Sequence, residues 1–307
     1  MSVALYTHPD MFDHHPGGRH PERSERLGAV LGALDDATLS LERREAPLVD
    51  PEDLARVHEA AYLADVEAAA PIQGLRRLDP DTAMSPGSLT AARRAAGGAV
   101  QAVRDVIRGD AGRAFCAVRP PGHHAEPHRA MGFCIYSNIA AAALAARAAG
   151  VARVAVIDFD IHHGNGTQAA LAWRPGTFFA SIQSWPMWPG TGHPTEPVAD
   201  NIFNAVSPGG APVEVWRKAF ESLMVRVDAF APELILVSAG FDAHQGDPVG
   251  EGGQNLQAED FAWATRAIVD VANRHAQGRV VSSLEGGYEL SALGRSALAH
   301  VAALCDR

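Results

Sequence analysis

The stretch from Arg153 to Gln168, Arg-Val-Ala-Val-Ile-Asp-Phe-Asp-Ile-His-His-Gly-Asn-Gly-Thr-Gln, restricts the fold more than any other part of the chain. Val154–Ile157 is short and apolar, with no polar alternation. That pattern predicts a parallel strand covered on both faces. Asp158, Asp160 and His162 follow at alternate positions, so an extended chain projects all three to one side. Asp160 and His162 are within reach of one metal ion, and Gly164 and Gly166 let the chain turn sharply afterwards. Two aspartates closing a strand are ordinary. Asp-x-Asp-x-His-His-Gly-Asn-Gly is not, and it reads as a metal site.

The same kind of apolar run recurs at Val3–Tyr6, Ala114–Val118, Thr177–Ile182, Ile202–Val206, Leu234–Val237 and Val280–Leu284. Helical stretches are expected from Pro21 to about Leu34, after Asp50-Pro51-Glu52-Asp53, and from Ser85-Pro86 to about Ile107 with Gly97-Gly98 inside. Further helices are expected at Asn138–Ala149, Pro212–Phe230, Glu259–His275 and Leu290–Leu304. Strands alternating with helices imply an α/β fold with a mainly parallel sheet. No Pro/Ser linker, composition break or internal repeat divides the 307 residues, so a single domain is expected. His14, His15 and His20 cluster between Asp10 and His20, in a Gly-rich segment that reads as a surface loop.

A formal charge of −10 argues against nonspecific binding to nucleic acid or acidic membranes and mildly favours a cationic substrate. Three cysteines without metal or redox spacing fit a reducing compartment. The N-terminus lacks the pattern of a signal peptide, and no apolar run reaches the roughly 18 residues of a membrane span. A soluble cytoplasmic protein is expected.

In parallel sheets the site lies beyond the carboxyl ends of the strands. Four such loops carry chemistry: Arg119-Pro-Pro-Gly-His123-His124-Ala-Glu126, the stretch around Asp160, Ser238-Ala-Gly240-Phe-Asp242-Ala-His244-Gln-Gly-Asp247, and Glu285-Gly-Gly-Tyr288. Catalytic zinc commonly takes three protein ligands, and Asp242 is the best third beside Asp160 and His162. A second ligand set drawn from Asp158, Asp247 or His244 is also open. Adjacent imidazoles at His123 and His124 suit proton transfer near neutrality. Asp158 and Asn165 would make them unequal, since a carboxylate raises the basicity of an imidazole and an amide does not. Tyr288 has a hydroxyl suited to a developing oxyanion. Gly132-Phe133 and the loop Trp185-Pro-Met187-Trp188-Pro suit the walls of a narrow apolar channel.

These motifs together resemble the zinc-dependent histone deacetylase family. They are Arg-Pro-Pro-Gly-His-His-Ala with Gly-Phe-Cys (119–134), Asp-Phe-Asp-Ile-His-His-Gly-Asn-Gly-Thr (158–167), Ser-Ala-Gly-Phe-Asp-Ala (238–243) and Leu-Glu-Gly-Gly-Tyr (284–288). The likeness is greatest to the class II members, which include bacterial histone deacetylase-like amidohydrolases and acetylpolyamine amidohydrolases. It implies the arginase–deacetylase fold with a parallel sheet of about eight strands. It implies one zinc on Asp160, His162 and Asp242, His123 linked to Asp158, His124 as general base and acid, and Tyr288 polarising the acyl carbonyl. It also implies a structural monovalent cation, usually potassium, at Asp158, the carbonyls of Asp160, His162 and Ile182, and the Ser181 hydroxyl. Arg26 matches an arginine of an internal acetate pocket, and Asp81 a rim acid that grips the substrate backbone. Val249 stands where a polyamine-selective member carries glutamate, and Glu251 follows two residues later. The expected activity is hydrolysis of an acylated amine, an N-acetyl-lysine or acetylpolyamine. A binuclear manganese ureohydrolase and a non-catalytic acyl-ligand sensor are the alternatives.

Overall fold

The computed structural model describes residues 2–250 and 253–306. In chain order the elements are β1 Val3–Thr7, α1 Glu25–Asp35, β2 Leu41–Glu45, α2 Pro51–Ala55, α3 Ala60–Ala69, β3 Arg76–Asp79, β4 Thr82–Met84, α4 Ser88–Arg108 and β5 Arg113–Cys116. Then follow α5 Asn138–Ala148, β6 Val154–Asp158, α6 Asn165–Leu171, β7 Thr177–Trp185, β8 Ile202–Pro208, α7 Val213–Phe230, β9 Leu234–Ala239, α8 Ala258–His275, β10 Val280–Leu284 and α9 Leu290–Cys305. Eight strands form one sheet in the order β2-β1-β5-β10-β9-β6-β7-β8. Every pair in it is parallel. The chain is a single α/β domain.

The apolar runs became strands because helices cover both faces of the sheet. Every residue of β6, β9 and β10 is buried. α4 packs with α5, while α1, α9, α8 and α7 pack in succession into another connected layer. Among the described residues no helix is long and apolar enough to cross a membrane.

Three departures from expectation have a direct physical cause. The eighth strand, β2, has the sequence Leu-Glu-Arg-Arg-Glu, and its residues are half-buried or exposed. It has no apolar signal because it lies at the sheet edge, where charged side chains stay in water. The helix expected from Pro21 starts at Glu25 instead, because Glu22 is drawn inward to bond Arg26 and Arg119. The helix after Asp50 divides into α2 and α3 where tertiary hydrogen bonds divert the chain. There His58 Nε2 accepts from the Ser137 amide at 3.0 Å and the Glu59 amide donates to Pro127 O at 2.9 Å.

Gly97 lies inside α4, where glycine ordinarily costs about 1 kcal/mol relative to alanine. A Cβ at this position would overlap the Pro47 carbonyl oxygen and stand 2.6 Å from the Val49 amide nitrogen. Backbone crowding therefore outweighs helix propensity. Gly97→Ala is expected to lower stability by roughly 1–3 kcal/mol in denaturant titration, the usual cost of overpacking; a gain in stability would contradict the packing.

Candidate functional site

Strands β5, β10, β9 and β6 are neighbours at the middle of the sheet. The loops that leave their carboxyl ends are the four that carry the chemistry. Asp160, His162 and Asp242 each present a ligand atom, and these atoms lie within 4.8 Å of one another. All three side chains are buried. His162 Nδ1 is 3.0 Å from Asp160 Oδ1 and 3.1 Å from Asp242 Oδ2. A single ring nitrogen carries one proton and cannot satisfy both carboxylates. Backbone amides hold the other oxygens: Ile161 N donates to Asp242 Oδ1 at 3.1 Å and Gly286 N to Asp160 Oδ2 at 2.9 Å. Asp242 Oδ2 accepts no hydrogen bond.

The donor set fits a divalent metal ion. Two buried carboxylates beside one imidazole carry more negative charge than the site neutralises, and burying unpaired charge is costly. Burial and the charge of Asp160 push the Asp242 carboxyl up to about 6, while His162 pulls the other way. Burial disfavours charge on His162, but Asp160 and Asp242 outweigh it and raise the imidazole to about 10. Glycines at 240 and 286 allow this crowding, because a Cβ at either would overlap a ligand carboxylate. Among the described residues this is the single such group. Neither Asp247 nor His244 joins it; His244 Nδ1 pairs with Gln245 O at 2.7 Å. The second ligand set that the sequence left open is not assembled among the described residues.

His123 and His124 lie side by side, ring centres 3.8 Å apart. His123 Nδ1 is 3.0 Å from Asp158 Oδ2, and His124 Nδ1 is 2.8 Å from Asn165 Oδ1. Their environments push the two rings apart. Burial opposes a charge on His123, yet Asp160 and Asp158 prevail and raise it to about 10. Burial and the neighbouring His123 and His162 hold His124 well below the usual imidazole range. A proton in this pair therefore favours His123 over His124. Glu285 was not expected to contribute here. Its Oε2 accepts from the Gly122 amide at 2.6 Å and the His123 amide at 3.1 Å, which fixes the loop that carries both rings.

Tyr288, His124 and His162 line one cavity of about 280 Å³ together with Asp81, Gly132, Phe133, Met187, Trp188 and Val249. Burial holds the Tyr288 phenol well above its usual pKa, so it remains a hydrogen-bond donor. Trp188 sits edge-on to His124 at 4.7 Å. Trp185 does not line the cavity. It ends β7 and packs on His193 at 5.0 Å, because the strand runs past its apolar segment and carries that ring away from the mouth. Asp81 is held by the Gly132 amide, which donates to Oδ1 at 3.0 Å. Glu251 lies outside the described residues.

Asp247, read from sequence as a possible ligand, is instead a clamp. Its Oδ1 accepts from the amides of Val249 at 2.9 Å and Gly250 at 3.2 Å. Its Oδ2 accepts from Tyr288 at 2.6 Å and Glu289 at 3.0 Å. The cavity rim and the tyrosine are thereby tied to one carboxylate. Arg26, fully buried, has its Cζ 4.6 Å from the Tyr288 ring centre and donates to Gly287 O and Glu285 O. Asp158, the last residue of β6, is the register partner of Ser181 in the middle of β7, with Ile182 next in line. The Ser181 hydroxyl donates to Gln183 Oε1 at 2.8 Å.

The chain is similar to known proteins in sequence and in fold. Residues 20–304 match the Histone deacetylase domain. The chain is 38% identical over 276 residues to a histone deacetylase-like amidohydrolase of Pseudomonas aeruginosa, spanning 87% of this chain and 71% of that one. It is 33% identical over 300 residues to a probable deacetylase of Archaeoglobus fulgidus, spanning 94% and 82% respectively. The crystal structure of the HDA15 HD domain has a TM-score of 0.90 at 30% identity and covers 99% of this chain and 89% of that one. By sequence and by fold, this chain belongs to the histone deacetylase family of deacetylases and amidohydrolases.

Proposed function

We propose that the protein hydrolyses an N-acyl, chiefly N-acetyl, amine of the acetyl-lysine or acetylpolyamine type. One observation carries the reading. The His124 imidazole, the Tyr288 phenol and His162 line a single cavity, and His162 joins Asp160 and Asp242 in one three-ligand group behind it. A divalent ion held by Asp160, His162 and Asp242, which we take to be zinc, would polarise the acyl carbonyl and make a nearby water more acidic.

The chain's own groups do the rest. His124 Nε2 takes a proton from the attacking water, and the adjacent charged His123 favours negative charge building on the substrate. The Tyr288 hydroxyl donates to the acyl oxygen as the carbon becomes tetrahedral. His124 then returns the proton to the departing amine. Asp158 orients His123, Asn165 orients His124, and Phe133, Met187 and Trp188 exclude water from an extended alkyl stem. We assign Arg26 to the departing acetate, Asp81 to the substrate at the rim, and Asp158, Ser181 and neighbouring carbonyls, Ile182 among them, to a potassium-type ion. The absence of a disulfide among the described cysteines, Cys116, Cys134 and Cys305, is consistent with a cytoplasmic setting. A binuclear ureohydrolase is less well supported, since one metal-type group is found among the described residues. A non-catalytic sensor would not need the unequal histidine pair.

Three outcomes are expected. Metal-loaded protein releases acetate from an acetyl-lysine peptide or from N-acetylputrescine and acetylspermidine; release from none of them would remove the proposal. Tyr288→Phe lowers kcat by about a hundredfold or more, the usual cost of one oxyanion donor, and near-normal turnover would exclude that role. Asp247→Asn replaces an acceptor with a donor facing backbone amides. It should cost on the order of 3 kcal/mol of stability and reduce kcat, as read by melting and steady-state kinetics. Unchanged values for both would show that the clamp does not hold the tyrosine.

A further inference from the structure

The orientation of the Asn165 amide is set from outside the cavity. Asn165 Nδ2 is 2.8 Å from Glu126 Oε1 and 3.3 Å from Met131 Sδ. A carboxylate and a thioether only accept hydrogen bonds, so both are matched by the amide NH2. The amide oxygen is then left to face His124 Nδ1 at 2.8 Å. An oxygen there accepts, so Nδ1 must carry the imidazole proton, and Nε2 keeps its lone pair for the cavity. Glu126 is itself fixed. Arg129 Nε is 3.2 Å from Oε2 and its Nη2 donates to Oε1 at 3.2 Å, and the backbone of the two residues pairs in a short bridge.

We propose that Glu126 is a positioning residue that selects the catalytic tautomer of His124 through Asn165. An asparagine is ambiguous where an aspartate is not: turned over, it offers NH2 to His124 and moves the proton to Nε2. A ring protonated on Nε2 cannot accept a proton from water. Holding a catalytic histidine in the wrong tautomer costs about 10⁴ in kcat in the serine-protease case. Glu126 makes the flipped arrangement unfavourable, because it would set the amide oxygen against a carboxylate. The inference rests on the role proposed for His124, but its spectroscopic test does not require turnover.

The test pairs a spectrum with a charge reversal. In ¹⁵N-histidine-labelled, zinc-loaded protein, His124 is expected to show a protonated Nδ1 and an unprotonated Nε2. The reverse pattern would overturn the proposal, even if Glu126 variants fail to fold. In Glu126→Lys the residue facing Asn165 can only donate, so the amide turns over. The tautomer should invert and kcat should fall by about a hundredfold or more, with KM little changed. Adding Asn165→Asp to that variant supplies an acceptor to both Lys and His124, and should restore the tautomer and at least tenfold of the lost kcat. A purely packing role for Glu126 predicts no such rescue. A normal tautomer in Glu126→Lys, or a double variant no faster than the single one, would refute the proposal. Absence of hydrolysis in the native protein with the expected tautomer would instead count against the enzymatic reading alone.

Discussion

The architecture depends on two buried carboxylates placed side by side. Asp160 and Asp242 follow neighbouring strands, β6 and β9, and share one imidazole, His162. Taking carboxylates out of water costs several kcal/mol each unless opposite charge and hydrogen bonds compensate. Backbone amides from Ile161 and Gly286 supply part of that compensation. The remaining charge is what makes the cluster a place for a cation rather than a strained piece of core.

The sheet exists to hold that cluster still. Its four middle strands are buried on both faces, and each releases its polar loop at the same end. Around the cluster the same economy recurs, with single carboxylates that each bind several backbone amides. Glu285 ties down the histidine loop, and Asp247 joins the rim to the tyrosine turn. Such charge-assisted bonds are stronger than neutral ones and fix loops that have no secondary structure of their own.

Much of this was legible in the residues. The central strands were visible because full burial demands continuous apolar runs, and the metal group because its spacing is uncommon. The edge strand β2 was invisible for the opposite reason, since half of its surface is water. Asp247 stayed open as a second-set ligand because an aspartate gives no sign in sequence of whether it faces a cation or four amides. Trp185 and Trp188 differ by three positions in a loop without periodicity, and only the path of the backbone decided which one reached the cavity. The short segments α2 and α3 were merged because the bonds that separate them come from residues about 70–80 positions away.

The central claim is that the charge of Asp160, His162 and Asp242 is completed by one divalent ion. Titrating zinc into metal-free protein, with binding followed by calorimetry and folding by thermal melting, tests it most directly. The account predicts saturation at one equivalent per chain and a rise in melting temperature that is lost in Asp160→Ala. No binding, or equal binding by that variant, would contradict it, and saturation at two equivalents would show a second site that the ligand geometry does not provide.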